Sequence, residues 1–158
     1  MPGTRLFLTV LLISAVGFSV SWMSLRWAEQ YLVQVEAEAA ATRWAEFLKV
    51  NVPALPAKLS SGEFTETDRE LIEFAVQAGH MFRYKFFGQD GRVVFASRPK
   101  DVGTVNRKDY FVEIVRAGGN YSKIESDESF VKHPHVAEAY APVMVNGRFA
   151  GCLLYTSP

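Results

Sequence analysis

Apolar residues recur along this chain in three rhythms, and each predicts a different kind of element. The first is continuous. Residues 6–25, LFLTVLLISAVGFSVSWMSL, contain no charge. A helix of about 20 residues rises about 30 Å, the thickness of a bilayer's hydrocarbon core. Arg5 and Arg26 bracket the run, and Trp22 and Trp27 stand where interfacial aromatics are found. The pattern predicts an uncleaved transmembrane signal anchor. A cleaved signal peptide is the rival, but its apolar region is shorter and ends in a small-residue site, which only SAVG at 14–17 approaches. Each flank has one arginine, so orientation leans on the α-amine: N-terminus cytoplasmic, remainder exported.

The second rhythm is helical. Residues 27–50 are rich in Ala, Glu and Leu and lack Gly and Pro. Trp27, Tyr31 and Val35 share one face, as do Trp44, Phe47 and Leu48 further on. The weakly apolar EAEAAA in the middle suits close helix–helix contact. Two readings stand: a stalk that packs on its own domain, or a helix that pairs with a second copy in a symmetric dimer. Pro53 and Pro56 end this helix, and LSSG at 59–62 reads as a loop. A further helix is expected from Thr67, with Glu70 completing a capping box. Leu71, Ile72, Ala75 and Val76 form its buried face, and Gly79 caps its end.

The third rhythm is alternation. MFRYKFF (81–87) and VVFAS (93–97) flank Asp90-Gly91, and VAEAYAPVMV (136–145) and RFAGCLLY (148–155) flank Asn146-Gly147. Both dipeptides favour the positive φ angles of tight hairpins. Between the hairpins come a helix over 106–117, a strand at 121–125 and the polar loop SDESFVKHPH. The order is helix, helix, hairpin, helix, strand, hairpin. It predicts an α+β fold in which a five-stranded antiparallel sheet carries helices mostly on one side.

Alternation also sorts the faces. Ala137, Ala139, Ala141, Val143 and Val145 make a small apolar side suited to a helix. Opposite lie Glu138, Tyr140, Pro142 and Met144, and on the preceding strand Tyr121, Lys123 and Glu125 share a side. These mixed faces suit a pocket or a wetter surface. The helix over 106–117 is largely explained by Asn106 as cap, Asp109 at the positive terminus, Phe111, Ile114 and Val115 as buried stripe and Gly118 as exit. Arg107, Lys108 and Tyr110 are left over, and two cations in a first turn oppose the helix dipole.

Composition narrows the classes. Hydrophobic content of 49% and aromatic content of 13% exclude a disordered chain. Formal net charge is zero, and beyond Arg26 there are 15 basic and 17 acidic residues, which excludes an electrostatic case for nucleic acid. The single Cys152 cannot form an intrachain disulfide or a cysteine zinc site, and is expected to be a small buried apolar residue. His133-Pro134-His135, near Asp127 and Glu128, lacks a clear third ligand and reads as loop, so no metal is expected. The usual enzyme signatures are missing; no catalytic residue and no cofactor is predicted.

The anchor, the long helix, FFGQDGRVVFAS, VGTVNRKDYF, the AGG helix end and AYAPVMVNGRFAG, in that order, resemble the Cache domain, the PAS-like extracytoplasmic input module of bacterial signalling proteins. The resemblance spans about residues 27–151. It implies a ligand pocket on one sheet face, the long helix on the other, a homodimer, and an arginine two residues before the tyrosine of the Tyr-Phe pair. Lys108 holds that position here and Arg107 precedes it, which leaves open which cation, if either, meets an anionic ligand.

The expected ligand-binding residues are therefore Arg107, Lys108, Tyr110, Tyr121, Lys123 and Tyr140. Expected segments are an anchor (1–26), a sensor domain (27–151) and a tail (152–158) that is non-native or truncated. Expected partners are a small ligand, the bilayer through residues 6–25 and a second copy, in a bacterial cytoplasmic membrane. The whole reads as a fragment of a receptor such as a histidine kinase, diguanylate cyclase, phosphodiesterase or chemoreceptor. An anchored envelope protein serving assembly or protein contact is the alternative.

Overall fold

The structure, a computed structural model, describes the backbone of residues 2–126 and 135–157 and the side chains at 11, 13–28, 31–124 and 136–156. Asp127, Glu128 and His133 lie outside the described residues, as do the side chains of Glu125 and His135. The chain divides into two units, residues 1–33 and 34–158.

Helix α1 (Pro2–Asn51) supplies all of the first unit. There Leu11, Ile13, Val16, Phe18, Val20, Trp22, Met23 and Leu25 are exposed. The hydroxyls of Ser19 and Ser24 donate to the carbonyls of Ala15 and Val20, so these polar groups are satisfied within the helix. Arg26 lies over the Trp22 ring. Among the described residues no helix is long and apolar enough to cross a membrane; the side chains of residues 6–10 and 12, part of the expected span, lie outside them.

The second unit is an α+β domain. Strands β1 (Arg83–Phe87), β2 (Val93–Ala96), β3 (Tyr121–Ser126), β4 (His135–Val145) and β5 (Arg148–Ser157) form one antiparallel sheet in the order β2-β1-β5-β4-β3. Residues 152–156, set apart above as a tail, lie in its central strand, paired with β1 and β4.

One face carries the main core. Ala37, Ala41, Ala45 and Leu48 of α1 share it with Ala137, Ala139, Ala141 and Val143 of β4, all nearly fully buried. Small residues on both sides let helix and sheet approach closely. The EAEAAA segment thus packs on its own domain, the plainer of the two readings. Val145, expected on this face, is exposed instead.

Two short helices complete the layer, and each departs from expectation. Residues 59–62 are not all loop: α2 (Leu55–Ser61) begins with Pro56 in its first turn, where a missing N–H costs nothing. Its Leu59 is wholly buried, pressing on β5 at Gly151, where a Cβ would strike Leu59 and the Phe87 carbonyl. Helix α3 (Glu66–Ala78) is capped by Thr65 with Asp68, not by Thr67 with Glu70. The earlier box wins because Asp68 then also reaches Lys58 of α2. Burial opposes ionisation of Asp68, but bonds from Lys58 and Thr65 and the Lys58 charge outweigh it and hold the carboxyl below its ordinary range. The Gly79 N–H does cap α3, but the positive φ falls on His80; glycine is needed because a side chain would strike Trp44.

The hairpins differ from each other. Asn146 and Gly147 both take positive φ and join β4 to β5 as a tight turn. At the first hairpin only Gly91 does, and the loop widens to 88–92, with the Arg92 N–H bonded to the Asp90 carboxylate.

Candidate functional site

The second sheet face is smaller and aromatic. Its core joins Phe87, Val93, Tyr140, Cys152 and Leu154 of the strands to Phe111 and Val115. The expected helix over 106–117 is much shorter. It begins at Asp109 and becomes a π-helical turn, Phe111–Val115, in which the Arg116 N–H bonds the Phe111 carbonyl. The wider turn keeps Phe111 and Val115 against the sheet and swings Ile114 off it, to 40% exposure. Asn106 is not the helix cap. Its side-chain oxygen accepts from the Lys108 N–H, and its amide donates to the Tyr110 hydroxyl. Gly91 fixes it there: the Asn106 N–H bonds the Gly91 carbonyl, and a Cβ on Gly91 would strike the Asn106 carbonyl and Phe111.

Three tyrosines meet beside Phe111. Tyr110 lies flat on Tyr121, with ring centroids 4.2 Å apart and planes 9° from parallel. Its centroid is 5.3 Å from that of Tyr140, and the two hydroxyls are 3.0 Å apart. Tyr121 and Tyr140 are direct cross-strand partners, as are Lys123 and Glu138 next to them. Tyr140 donates to Glu138 Oε2 (3.3 Å), and Lys123 Nζ sits 3.3 Å from the same oxygen.

These bonds share one direction. The single Tyr140 hydroxyl hydrogen goes to the Glu138 carboxylate, so Tyr110 donates to Tyr140 and itself accepts from the Asn106 amide. Burial, and after it the Glu138 charge, push the Tyr140 phenol well above its ordinary pKa. It remains a neutral donor throughout the physiological range. Chemically the arrangement is a closed stack of phenol rings that ends in a carboxylate–ammonium pair. Burial likewise pushes the Cys152 thiol up, so Cys152 is the inert apolar filler expected of it.

Of the predicted site residues, the structure brings Tyr110, Tyr121, Lys123 and Tyr140 together. Arg107 and Lys108 are exposed beside the cluster, and Lys108 contributes backbone bonds that start the turn. Two participants were missed. Asn106 was assigned to capping, which any Asn before a helix suggests. Glu138 was placed on this face by alternation, and its pairing with Lys123 needed the strand register.

The other side of β3 is bonded to α1. Ser122, between Tyr121 and Lys123, donates its hydroxyl hydrogen to Glu38, and its carbonyl accepts from Gln34. Asn120 donates to Thr42.

No protein-family model matches the chain, and no curated protein matches it in sequence. Solved structures do match. The sensor domain of E. coli DcuS is similar over 80% of this chain and 89% of its own, at 10% identity with a TM-score of 0.54. The sensor domain of the V. cholerae histidine kinase DctB matches over 88% of this chain at 10% identity, with a TM-score of 0.46. The sensory domain of the Campylobacter jejuni chemoreceptor Tlp3 with isoleucine bound matches over 88% at 13% identity, with a TM-score of 0.47. This chain spans 51% of the DctB domain and 62% of the Tlp3 domain. The likeness to DcuS is one of architecture: the chain shares the fold of that domain.

Proposed function

We propose that residues 34–158 form an extracytoplasmic sensory input domain. It binds a small ligand at Tyr110, Tyr121, Tyr140 and the Lys123–Glu138 pair, and relays occupancy to α1. The observation that carries this reading is the double use of β3. Tyr121 and Lys123 line the tyrosine site, while Asn120 and Ser122 between and beside them hold Thr42 and Glu38 of α1. A ligand that parts the Tyr110–Tyr121 stack displaces an edge strand, and that strand is hydrogen-bonded to the helix. Such a ligand shifts the balance only by its difference in affinity for the two arrangements.

The charge-free run at 6–25 supports an uncleaved anchor in a bacterial cytoplasmic membrane, with this domain outside. Trp27 and Tyr31, stacked on each other and exposed, offer an apolar face for a second copy. Output then belongs to a receptor such as a histidine kinase, diguanylate cyclase, phosphodiesterase or chemoreceptor.

The test is thermal melting of the chain against a broad panel of small metabolites, because a ligand specific to the folded state raises its stability. At least one compound should raise the melting temperature, and Tyr110→Ala should abolish that shift while the domain stays folded. A panel with no effect leaves the non-sensing envelope reading in its place; a normal response in Tyr110→Ala removes Tyr110 from the site.

A further inference from the structure

Three segments far apart in the chain meet at one end of the sheet. Gly88 lies so close to the Leu59 carbonyl of α2 that a Cβ would strike it, so the β1–β2 loop runs beside α2. The Asn146-Gly147 turn closes β4 onto β5 at the same end. Between them is a cleft of about 480 Å³, lined by Pro56, Gln89, Val145, Asn146, Arg148 and Phe149. Small-molecule sites usually measure about 300–1,000 Å³.

A β-bulge shapes one wall. Val143 pairs with Gly151 and Met144 with Phe149, so Ala150 is an extra residue on β5, buried in the main core. Such a bulge bends the strand and re-aims the residues beyond it. Val145 thereby leaves the helix-covered face and stands 37% exposed in the cleft. Phe149 is held edge-on by Phe111, with ring planes at 89°. The apolar walls are therefore fixed by the sheet and by the aromatic core.

The polar side chains of the cleft are not used within the protein. Those of Gln89, Asn146 and Arg148 make no hydrogen bond or ion pair among the described residues. Arg148 is the only ionic group on the lining, and Asp90, next to Gln89, is already bound to Arg92. A guanidinium holds a carboxylate or phosphate by two parallel bonds, and side-chain amides donate to the remaining oxygens.

We infer that this cleft is a second small-molecule site, separate from the tyrosine cluster and independent of the sensory reading. It takes an organic oxyanion, a carboxylate or phosphate joined to a flat apolar body. Arg148 pairs with the oxyanion, Gln89 and Asn146 donate to it, and the body lies between Pro56, Val145 and Phe149.

The test follows backbone amide shifts in the isotope-labelled full chain in detergent micelles. Wild type, Arg148→Gln and Tyr110→Ala are each titrated with benzoate, phenyl phosphate, benzyl alcohol and benzylamine. The two anions should shift the amides of Gln89, Asn146, Gly147 and Arg148, and the tighter of them identifies the class of oxyanion. Arg148→Gln, a change on an exposed side chain, should weaken that binding about tenfold or more, the loss of a hydrogen bond between charged groups. Partition of a probe into micelles is common to both proteins and cancels in the ratio. Tyr110→Ala should bind the anions as wild type does.

Equal affinity in wild type and Arg148→Gln overturns the inference, because the guanidinium then holds nothing. So does binding of benzyl alcohol or benzylamine as tight as that of either anion, or the absence of any shift at 89 and 146–148. Shifts confined to Tyr110, Tyr121 and Tyr140, and lost in Tyr110→Ala, would remove the cleft and support the sensory reading alone. Failure of the metabolite melting test, with the cleft shifts present, would do the reverse.

Discussion

Ser122 donates its hydroxyl hydrogen to the Glu38 carboxylate, joining the edge strand β3 to α1 on the side of the sheet opposite the tyrosines. Because side chains alternate along a strand, the neighbours Tyr121 and Lys123 face the other way, into the tyrosine cluster. Among the described residues β3 pairs on one side only, with β4. An edge strand can move without breaking two ladders, and this one is tied to both the site and the helix.

Ser122→Ala tests that tie. The half-buried Glu38 carboxylate loses a donor, and the loss of a hydrogen bond to a charged group should lower domain stability by about 1–2 kcal/mol in urea titrations. Amide hydrogen exchange should quicken in α1 near residues 34–42 and stay unchanged in β4 and β5. Wild-type exchange in α1 alongside lowered stability would make the bond a local one and exclude it from any relay.

Tyr140 predicts an alkaline effect. Burial and the Glu138 charge raise its pKa in the folded state above the unfolded value of about 10. Stability from this group is full below pH 10 or so and is lost as pH rises toward the folded value. In an absorbance titration its phenolate should emerge only with unfolding, and Tyr140→Phe should delete that late phase. The variant should also lose about 1–2 kcal/mol, because Tyr110 and Glu138 each lose a partner. Tyr140 titrating freely with exposed tyrosines would contradict the buried hydrogen-bonded chain.

The sheet was legible in the sequence because its strands alternate cleanly. Ala137, Ala139 and Ala141 against Glu138 and Tyr140 declare two faces, and Asn146-Gly147 declares its turn. Boundaries set by competition were not legible. TETD offers Thr65 and Thr67 as caps, and only the tertiary contact of Asp68 with Lys58 decides between them. The run FVEIV carries an ordinary helical stripe, and the π turn that removes Ile114 from it depends on how Phe111 seats against Phe87 and Phe149. At the site, residue types and strand faces named the tyrosines. The bond from Asn106 and the pairing of Lys123 with Glu138 depend on loop path and register, which span residues far apart in the chain.

Gly151 should not tolerate a side chain. The β5 backbone there lies against both the Phe87 carbonyl and the fully buried Leu59 of α2, so Gly151→Ala forces β1 or α2 away from the sheet. Overpacking of this kind costs about 1–3 kcal/mol. Leu59→Ala in the same chain should recover part of the loss, since it opens space at one of the two contacts; a double variant no better than the sum of the two single ones would place the strain at the Phe87 carbonyl alone.

Asp68 predicts the acid limb. Its Oδ2 accepts from Lys58 Nζ, the Thr65 N–H and the Thr65 hydroxyl, joining α2 to the start of α3. Burial raises its pKa, the bonds and the Lys58 charge lower it further, and the net folded value lies below the unfolded one. The stability it contributes is therefore present above about pH 4, the unfolded value, and is lost as pH falls through the folded pKa. Asp101, held by Arg98 and Lys85 against the cost of burial, is depressed in the same way and adds to the same limb. Asp68→Asn can keep the cap but cannot balance Lys58, whose side chain is only 18% exposed. It should cost about 2–3 kcal/mol at neutral pH. The variant's stability should also fall less steeply below pH 4 than that of wild type. Replacing the pair together, Lys58→Met with Asp68→Asn, should restore most of the loss, because no unbalanced charge remains. If the double variant is as unstable as Asp68→Asn alone, the damage lies in the capping box and not in the ion pair.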